Sequence, residues 1–189
     1  MKINKYCQVC SLNNAQHYET KVINNNPSSN KWYYIILEFP INATQFFNFY
    51  LKQLTSYNIV FTYAVACKDN GMPSLTEVNK CKNILQDYFN QYQPYKILAM
   101  GPYALASLKR LFKLQIDEKN QDFDEIYEAN NITIYATYNP LMYFKSKNKD
   151  FLIHIHNKLE ETFNIRLQQF QYYDKHKINS ATEKLQNLQ

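Results

Sequence analysis

A chain of 189 residues is long enough to bury a sizeable core and is most simply one domain. Hydrophobic residues make up 46%, a figure swollen by 17 tyrosines, while glycine occurs only at Gly71 and Gly101, which argues against a glycine-built phosphate loop. The formal net charge of +5 suits a surface that meets phosphate without requiring nucleic acid as partner, and the longest apolar run, WYYIILEFPI, is too short to span a bilayer.

The N-terminal stretch MKINKYCQVC lacks the apolar core of a signal peptide, so the expectation is a soluble, intracellular protein without a membrane partner. It would be cytoplasmic or, in a eukaryotic host, nuclear or organellar. Cys7 and Cys10 form a C-x2-C pair in this stretch. A first strand is expected over Tyr33–Leu37 and a helix over Thr44–Ser56, followed by a second strand over Asn58–Val65 that runs into Cys67. Ser74-Leu-Thr-Glu77 has the spacing of a capping box and should open a helix over Ser74–Tyr92, which carries Cys81. A third strand over Tyr95–Met100 meets Gly101-Pro102, where glycine can turn the chain and proline can take the first helical position of a helix over Pro102–Phe112.

The acidic stretch Gln115–Asn131 reads as a solvated excursion before a fourth strand over Asn131–Thr137. A last helix over Asp150–Phe163 shows an apolar stripe at Phe151, Ile155, Leu159 and Phe163. From residue 168 the chain turns polar, so a domain over 1–167 and a tail or short helix over 168–189 are expected. The alternation of β-like and helix-like segments predicts an α/β protein, a three-layer α/β/α sandwich with a central, mostly parallel four-stranded sheet.

Four cysteines in two pairs have three readings. Cys7, Cys10, Cys67 and Cys81 could close a four-thiolate metal shell, for which spacing alone favours zinc over an iron-sulfur cluster. They could also be buried, unligated thiols. A Cys67–Cys81 disulfide would be worth about 3 kcal/mol in the loop-entropy picture, but a reducing compartment argues against it.

The residues around these cysteines resemble the iron-sulfur uracil-DNA glycosylases, family four especially, over a stretch from about Cys7 to Phe163. CQVCSL is similar to that family's opening C-x2-C-x-L, and AVACKDN to the strand end bearing its third cysteine. EVNKCKNILQDYFNQYQPYKILAMGPYALASL resembles its fourth-cysteine helix, the next strand and the glycine turn, and TYNPLMYF stands where the family has Tyr-His-Pro-Ser. The resemblance implies a glycosylase-like fold and a structural [4Fe-4S] cluster held by Cys7, Cys10, Cys67 and Cys81, with zinc as the alternative.

It also implies where the pocket would be, and how it departs from the family pattern. Leu37-Glu38-Phe39-Pro40-Ile41 replaces Gly-Glu-Ala-Pro-Gly, keeping the acid and the proline but losing both glycines that permit close backbone approach. Phe46 or Phe47 could imitate the ring that stacks on the base, with packing in the core as the simpler role for each. Tyr63 stands at the place of an asparagine that reads uracil, and Asn139 at the place of a histidine that would donate to the leaving anion. A phenol cannot reproduce a two-sided amide pairing, and removing one electrostatic donor commonly costs about 10²–10³ in rate. Glu38 and Asn139 are the candidate catalytic pair, vestigial by this reading. Pro40, Phe46, Phe47 and Tyr63 are the candidate base pocket.

After Pro140, Leu141 and Met142 occupy the place of a duplex-entering wedge, and Lys145, Lys147 and Lys149 could neutralise phosphate. The resulting expectation is a catalytically degenerate glycosylase-like protein that binds DNA, or a protein partner, in replication or repair, including within a viral or phage assembly. An active glycosylase releasing uracil or another damaged base is the first alternative, and a structural subunit of a larger complex the second.

Overall fold

A computed structural model of the chain describes residues 16–41, 43–68, 74–115 and 123–170. Within them the elements run β1 (Gln16–His17), β2 (Lys21–Asn24), β3 (Trp32–Leu37), α1 (Thr44–Leu51), β4 (Asn58–Tyr63) and β5 (Cys67–Lys68). There follow α2 (Leu75–Gln91), β6 (Pro94–Met100), α3 (Pro102–Phe112), β7 (Ile126–Ala129), β8 (Ile132–Thr137), α4 (Pro140–Ser146) and α5 (Lys149–Phe163).

The main sheet has six strands in the order β2-β4-β3-β6-β8-β7. The sequence anticipates only four, and the sheet is mixed. β4, β3, β6 and β8 pair in parallel at its centre, while β2 joins β4 and β7 joins β8 in antiparallel fashion at the two edges. The missed strands carry the weak signals that edges allow. β2 is KVIN, largely exposed, and β7 is IYEA, inside the acidic stretch read as a solvated excursion. An edge strand pairs on one side only and tolerates charge facing water. A separate two-stranded ribbon joins β1 to β5.

The four central strands read as continuous apolar runs because both of their faces are covered. Ile35, Leu37, Ile59, Phe61, Leu98, Met100 and Tyr135 enter one core with α1, α4 and α5. Their neighbours Tyr34, Ile36, Val60, Ile97, Ala99, Ile134 and Ala136 enter the other, with α2 and α3. Side-chain alternation along each strand therefore produces helix, sheet and helix layers.

Helix ends are set locally. Ser74 Oγ accepts from Glu77 N at 3.3 Å and Glu77 Oε2 accepts from Ser74 N at 2.6 Å, the reciprocal capping box expected at the start of α2. At the other end Tyr92 N donates to Tyr88 O at 2.8 Å, and the buried Tyr34 hydroxyl, 2.8 Å from Tyr88 O and 2.6 Å from Tyr92 O, brings a strand donor to the end of the helix. Packed structure continues beyond residue 167: Gln168 N donates to Gln53 Oε1 at 2.7 Å, Phe170 N donates to the Tyr50 hydroxyl at 3.3 Å, and Phe170 is buried. Among the described residues no helix is long and apolar enough to cross a membrane.

Candidate functional site

The chain runs from β3 through α1 to β4 on one side and from there through α2 to β6 on the other side of β3, so the direction of winding reverses at β3. In open α/β sheets ligands bind outside the carboxyl ends of the strands at such a reversal. Glu38 follows β3, Gly101 follows β6 and Asn139 lies just beyond β8, which gathers them there from distant parts of the chain.

Glu38 is 2% exposed and both of its oxygens are engaged by protein donors. Oε1 accepts from Tyr103 N at 2.9 Å, in the first turn of α3, and Oε2 accepts from Asn139 Nδ2 at 2.5 Å. A carboxylate at a helix start is favoured by the helix dipole. Burial nevertheless pushes the Glu38 carboxyl above its ordinary pKa, with the Tyr103 amide and the Asn139 amide working in the opposite direction. Asn139 Oδ1 in turn accepts from Leu141 N at 2.9 Å and so caps α4.

Gly101 makes this contact sterically possible. Its φ is +101°, and a Cβ built there would overlap the Glu38 carboxylate, lying 2.5 Å from Oε2 and 2.6 Å from Cγ. Gly101 N also donates to Thr137 O at 2.7 Å. Glu38, Gly101, Tyr103 and Asn139 thus form a hydrogen-bonded knot that ties the ends of β3, β6 and β8 to two helix starts. Glu38 in this geometry holds peptide and amide groups, and burial closes its carboxylate off from bulk water.

Pro40 is buried, and Leu37 and Ile41 put branched side chains into or against the α1-side core. Phe46 and Phe47 both lie in that core, where Phe47 meets Phe61 edge to face at 4.9 Å. Tyr63 is half-buried between Tyr18 and Phe61, and burial raises the pKa of its hydroxyl.

Phe46 also borders a cavity of about 530 Å³, lined by Ala43, Thr44, Gln45, Phe46, Phe144, Lys147 and Phe170. Glu38, Tyr63 and Asn139 are not among its lining residues. The sequence gives no signal for Phe144 or Phe170 here, since only the packing of α4 and the C-terminal segment on α1 brings them to Phe46.

The candidate DNA-facing residues share one corner. Leu141 is half-buried and Met142 is 47% exposed on α4, Lys145 occupies its last turn, Lys147 is its left-handed C-cap with φ +58°, and Lys149 opens α5. All three lysines are exposed.

Cys67 on β5 and Cys81 on α2 are each 6% exposed and share a small cluster with Val65, Val78 and Tyr103. Fold and packing thereby bring a strand cysteine and a helix cysteine into one buried place. Cys7 and Cys10 lie outside the described residues, and among the described residues no group of three or more His, Cys, Asp or Glu could hold a metal ion.

One polar chain gives no sign of itself in the sequence. Thr137 Oγ1 and His154 Nδ1 are 2.8 Å apart, and His154 Nε2 lies 3.1 Å from Asp124 Oδ1. The threonine is fully buried and the aspartate exposed, an order opposite to that of a nucleophile open to substrate, and the chain fastens the approach to β7 onto α5. His156 turns elsewhere, to the Tyr50 hydroxyl and Glu160.

No family model matches the chain, and a search of curated proteins returns no match.

Proposed function

We propose that this protein is a catalytically degenerate relative of the iron-sulfur uracil-DNA glycosylases, acting as a DNA-binding module in replication or repair. The observation that carries the reading is the Glu38–Asn139 hydrogen bond. The two groups that would activate water and stabilise a leaving base are buried against each other, and the second Glu38 oxygen is held by Tyr103 N. A site kept for hydrolysis needs its acid within reach of water or substrate.

The four-cysteine landmarks and the glycine turn support the family assignment, and Met142 beside Lys145, Lys147 and Lys149 supports a DNA-facing corner. Cys67 and Cys81, buried together, suit one half of a four-thiolate shell. Cys7 and Cys10 would supply the other half. A [4Fe-4S] cluster there would serve as a clamp between chain segments.

The test is incubation of the purified protein with uracil-containing single-stranded and duplex DNA, reading base release and binding in parallel. Salt-sensitive binding without base release is expected. Robust uracil release overturns the degenerate reading in favour of an active glycosylase, and absence of binding to either DNA overturns the DNA module. Iron and sulfide analysis with an absorption spectrum tests the clamp, for which stoichiometric zinc without iron is the refuting result.

A further inference from the structure

The segment that follows α5 is held down by side chains, and its seat is the aromatic face of α1. α5 ends at Asn164, whose left-handed φ of +53° turns the chain, and Ile165 N closes the helix on Glu160 O at 3.3 Å. Beyond that turn three backbone N–H groups find side-chain acceptors. Leu167 N donates to Glu160 Oε1 at 2.8 Å on α5, Gln168 N to Gln53 Oε1 at 2.7 Å just past α1, and Phe170 N to the Tyr50 hydroxyl at 3.3 Å. Ile165, Leu167 and Phe170 turn into the α1-side core, while Arg166, Gln168 and Gln169 face water.

Two of these acceptors are joined to each other. The His156 ring lies between them, with Nδ1 3.2 Å from the Tyr50 hydroxyl and Nε2 3.6 Å from Glu160 Oε1. A Tyr50 O–H that donates to Nδ1 leaves its oxygen to accept the Phe170 N–H, so one imidazole orients the seats of residues 167 and 170. The Phe170 ring, centred 5.3 Å from that of Phe46 and 5.5 Å from that of Phe49, also helps to line the cavity of about 530 Å³ at the start of α1. We infer that residues 165–170 are a strap, hinged at Asn164, that opens and closes as one unit and gates this cavity, with Glu160 as its latch. Bonds to side chains at a surface are made and lost without disturbing the sheet, which places the strap among segments that open locally.

Glu160 faces His156 and Glu161 on its own helix, Arg166 on the strap and the Tyr50 hydroxyl of α1. The Arg166 guanidinium is 95% exposed, so water screens it and the Leu167 N–H is the firmer partner. That N–H, with Arg166 and His156 and against the opposing pull of burial, holds the Glu160 carboxyl below its ordinary pKa of 4.5. Closure is therefore fully supported above the ordinary value and is lost as pH falls through the lower native one, so acid releases the strap.

The experiment is amide hydrogen exchange followed by NMR on the full chain, on Glu160→Ala and on Gln53→Ala, with the fluorescence of anilinonaphthalene sulfonate as the measure of access beneath the strap. Each variant should speed exchange at Leu167, Gln168 and Phe170 together by about fivefold or more, the worth of one hydrogen bond, although it removes the acceptor of only one of them. Amides of β3 and β6 should keep their protection, and dye emission should rise as the strap exchanges faster. Below a pH of about 4 the wild type should converge on Glu160→Ala. Exchange that rises only at the amide whose acceptor was removed overturns the single unit, and unprotected amides at all three positions in the wild type overturn the strap itself. Unchanged dye emission in a variant whose strap exchanges faster overturns the gate. An acid response that Glu160→Ala shares in full overturns Glu160 as latch. Loss of β3 and β6 protection would reveal a variant that fails to fold, and the other variant then decides.

Discussion

Replacing Gly101 by alanine perturbs the knot at its tightest point. The residue has φ +101° and ψ 165°, a region that side-chain-bearing residues almost never occupy and that costs of order 1–3 kcal/mol to enforce. The new Cβ would also overlap the Glu38 carboxylate, which must move away from Tyr103 N and Asn139 Nδ2. Each buried donor left unsatisfied costs about 1–3 kcal/mol. Taken at their lower ends, because neighbouring effects do not add, these losses come to about 3 kcal/mol, a large share of the stability of a small domain. Urea unfolding followed by circular dichroism should show the midpoint fall with the slope unchanged.

A Glu38→Ala background separates the two causes. With the carboxylate gone the Cβ has room, and Gly101→Ala should cost only its backbone strain, about 1 kcal/mol. The expected coupling between the two positions is therefore about 2 kcal/mol. A single-variant cost below about 1 kcal/mol, or an equal cost in both backgrounds, refutes the argument that glycine is required here by Glu38.

Two further outcomes follow from buried groups. Because burial raises the Glu38 pKa, its contribution to stability is fully present below the unfolded-state value and is lost as pH rises through the raised native one. The stability of Glu38→Gln relative to wild type should therefore climb with pH above about 4.5, whatever the constant offset from its altered hydrogen bonds; a gap that moves the other way in denaturation series refutes the shift. Tyr34→Phe should cost about 1 kcal/mol by taking the hydroxyl from Tyr92 O, while Tyr88 O keeps the Tyr92 N–H, and unchanged thermal and urea midpoints would show that water serves the Tyr92 carbonyl instead.

The parts of the fold that the sequence anticipates are those whose cause is local. Gly101-Pro102 and a run of good helix formers give α3 the bounds expected of it, Pro102–Phe112, and Ser74 with Glu77 marks the start of α2. β3, β4, β6 and β8 stand out because burial on both faces demands unbroken apolar runs. α1 is expected to reach Ser56 and stops at Leu51, since Gln53 N and Leu54 N bond three residues back to Tyr50 O and Leu51 O and tighten the chain into a turn. The apolar spacing continues past the helix only because Leu54 is itself core.

The knot is harder to read in advance. Glu38 and Asn139 are named beforehand through a resemblance, but the Tyr103 peptide N–H that holds Glu38 has no residue-type signature at all. α4 is short, and no helix is expected there from the sequence; Asn139 as cap and Pro140 at the first position are enough to start it. Phe170 sits in a stretch whose composition is polar, and only tertiary packing singles out its ring.

Phe170 has one more consequence, for the order of events during synthesis. Its ring packs against Phe46 and Phe49, and its backbone reaches Tyr50 across a separation of 120 residues. Contacts of such range form only after the chain between them has been made, and they bear the full entropy of closing that loop. The outer side of α1 therefore waits for a residue made 120 positions after Tyr50 before its aromatic surface is covered. A nascent chain stalled short of residue 170 would present that surface to chaperones, so a pause in translation between α1 and Phe170 prolongs its exposure.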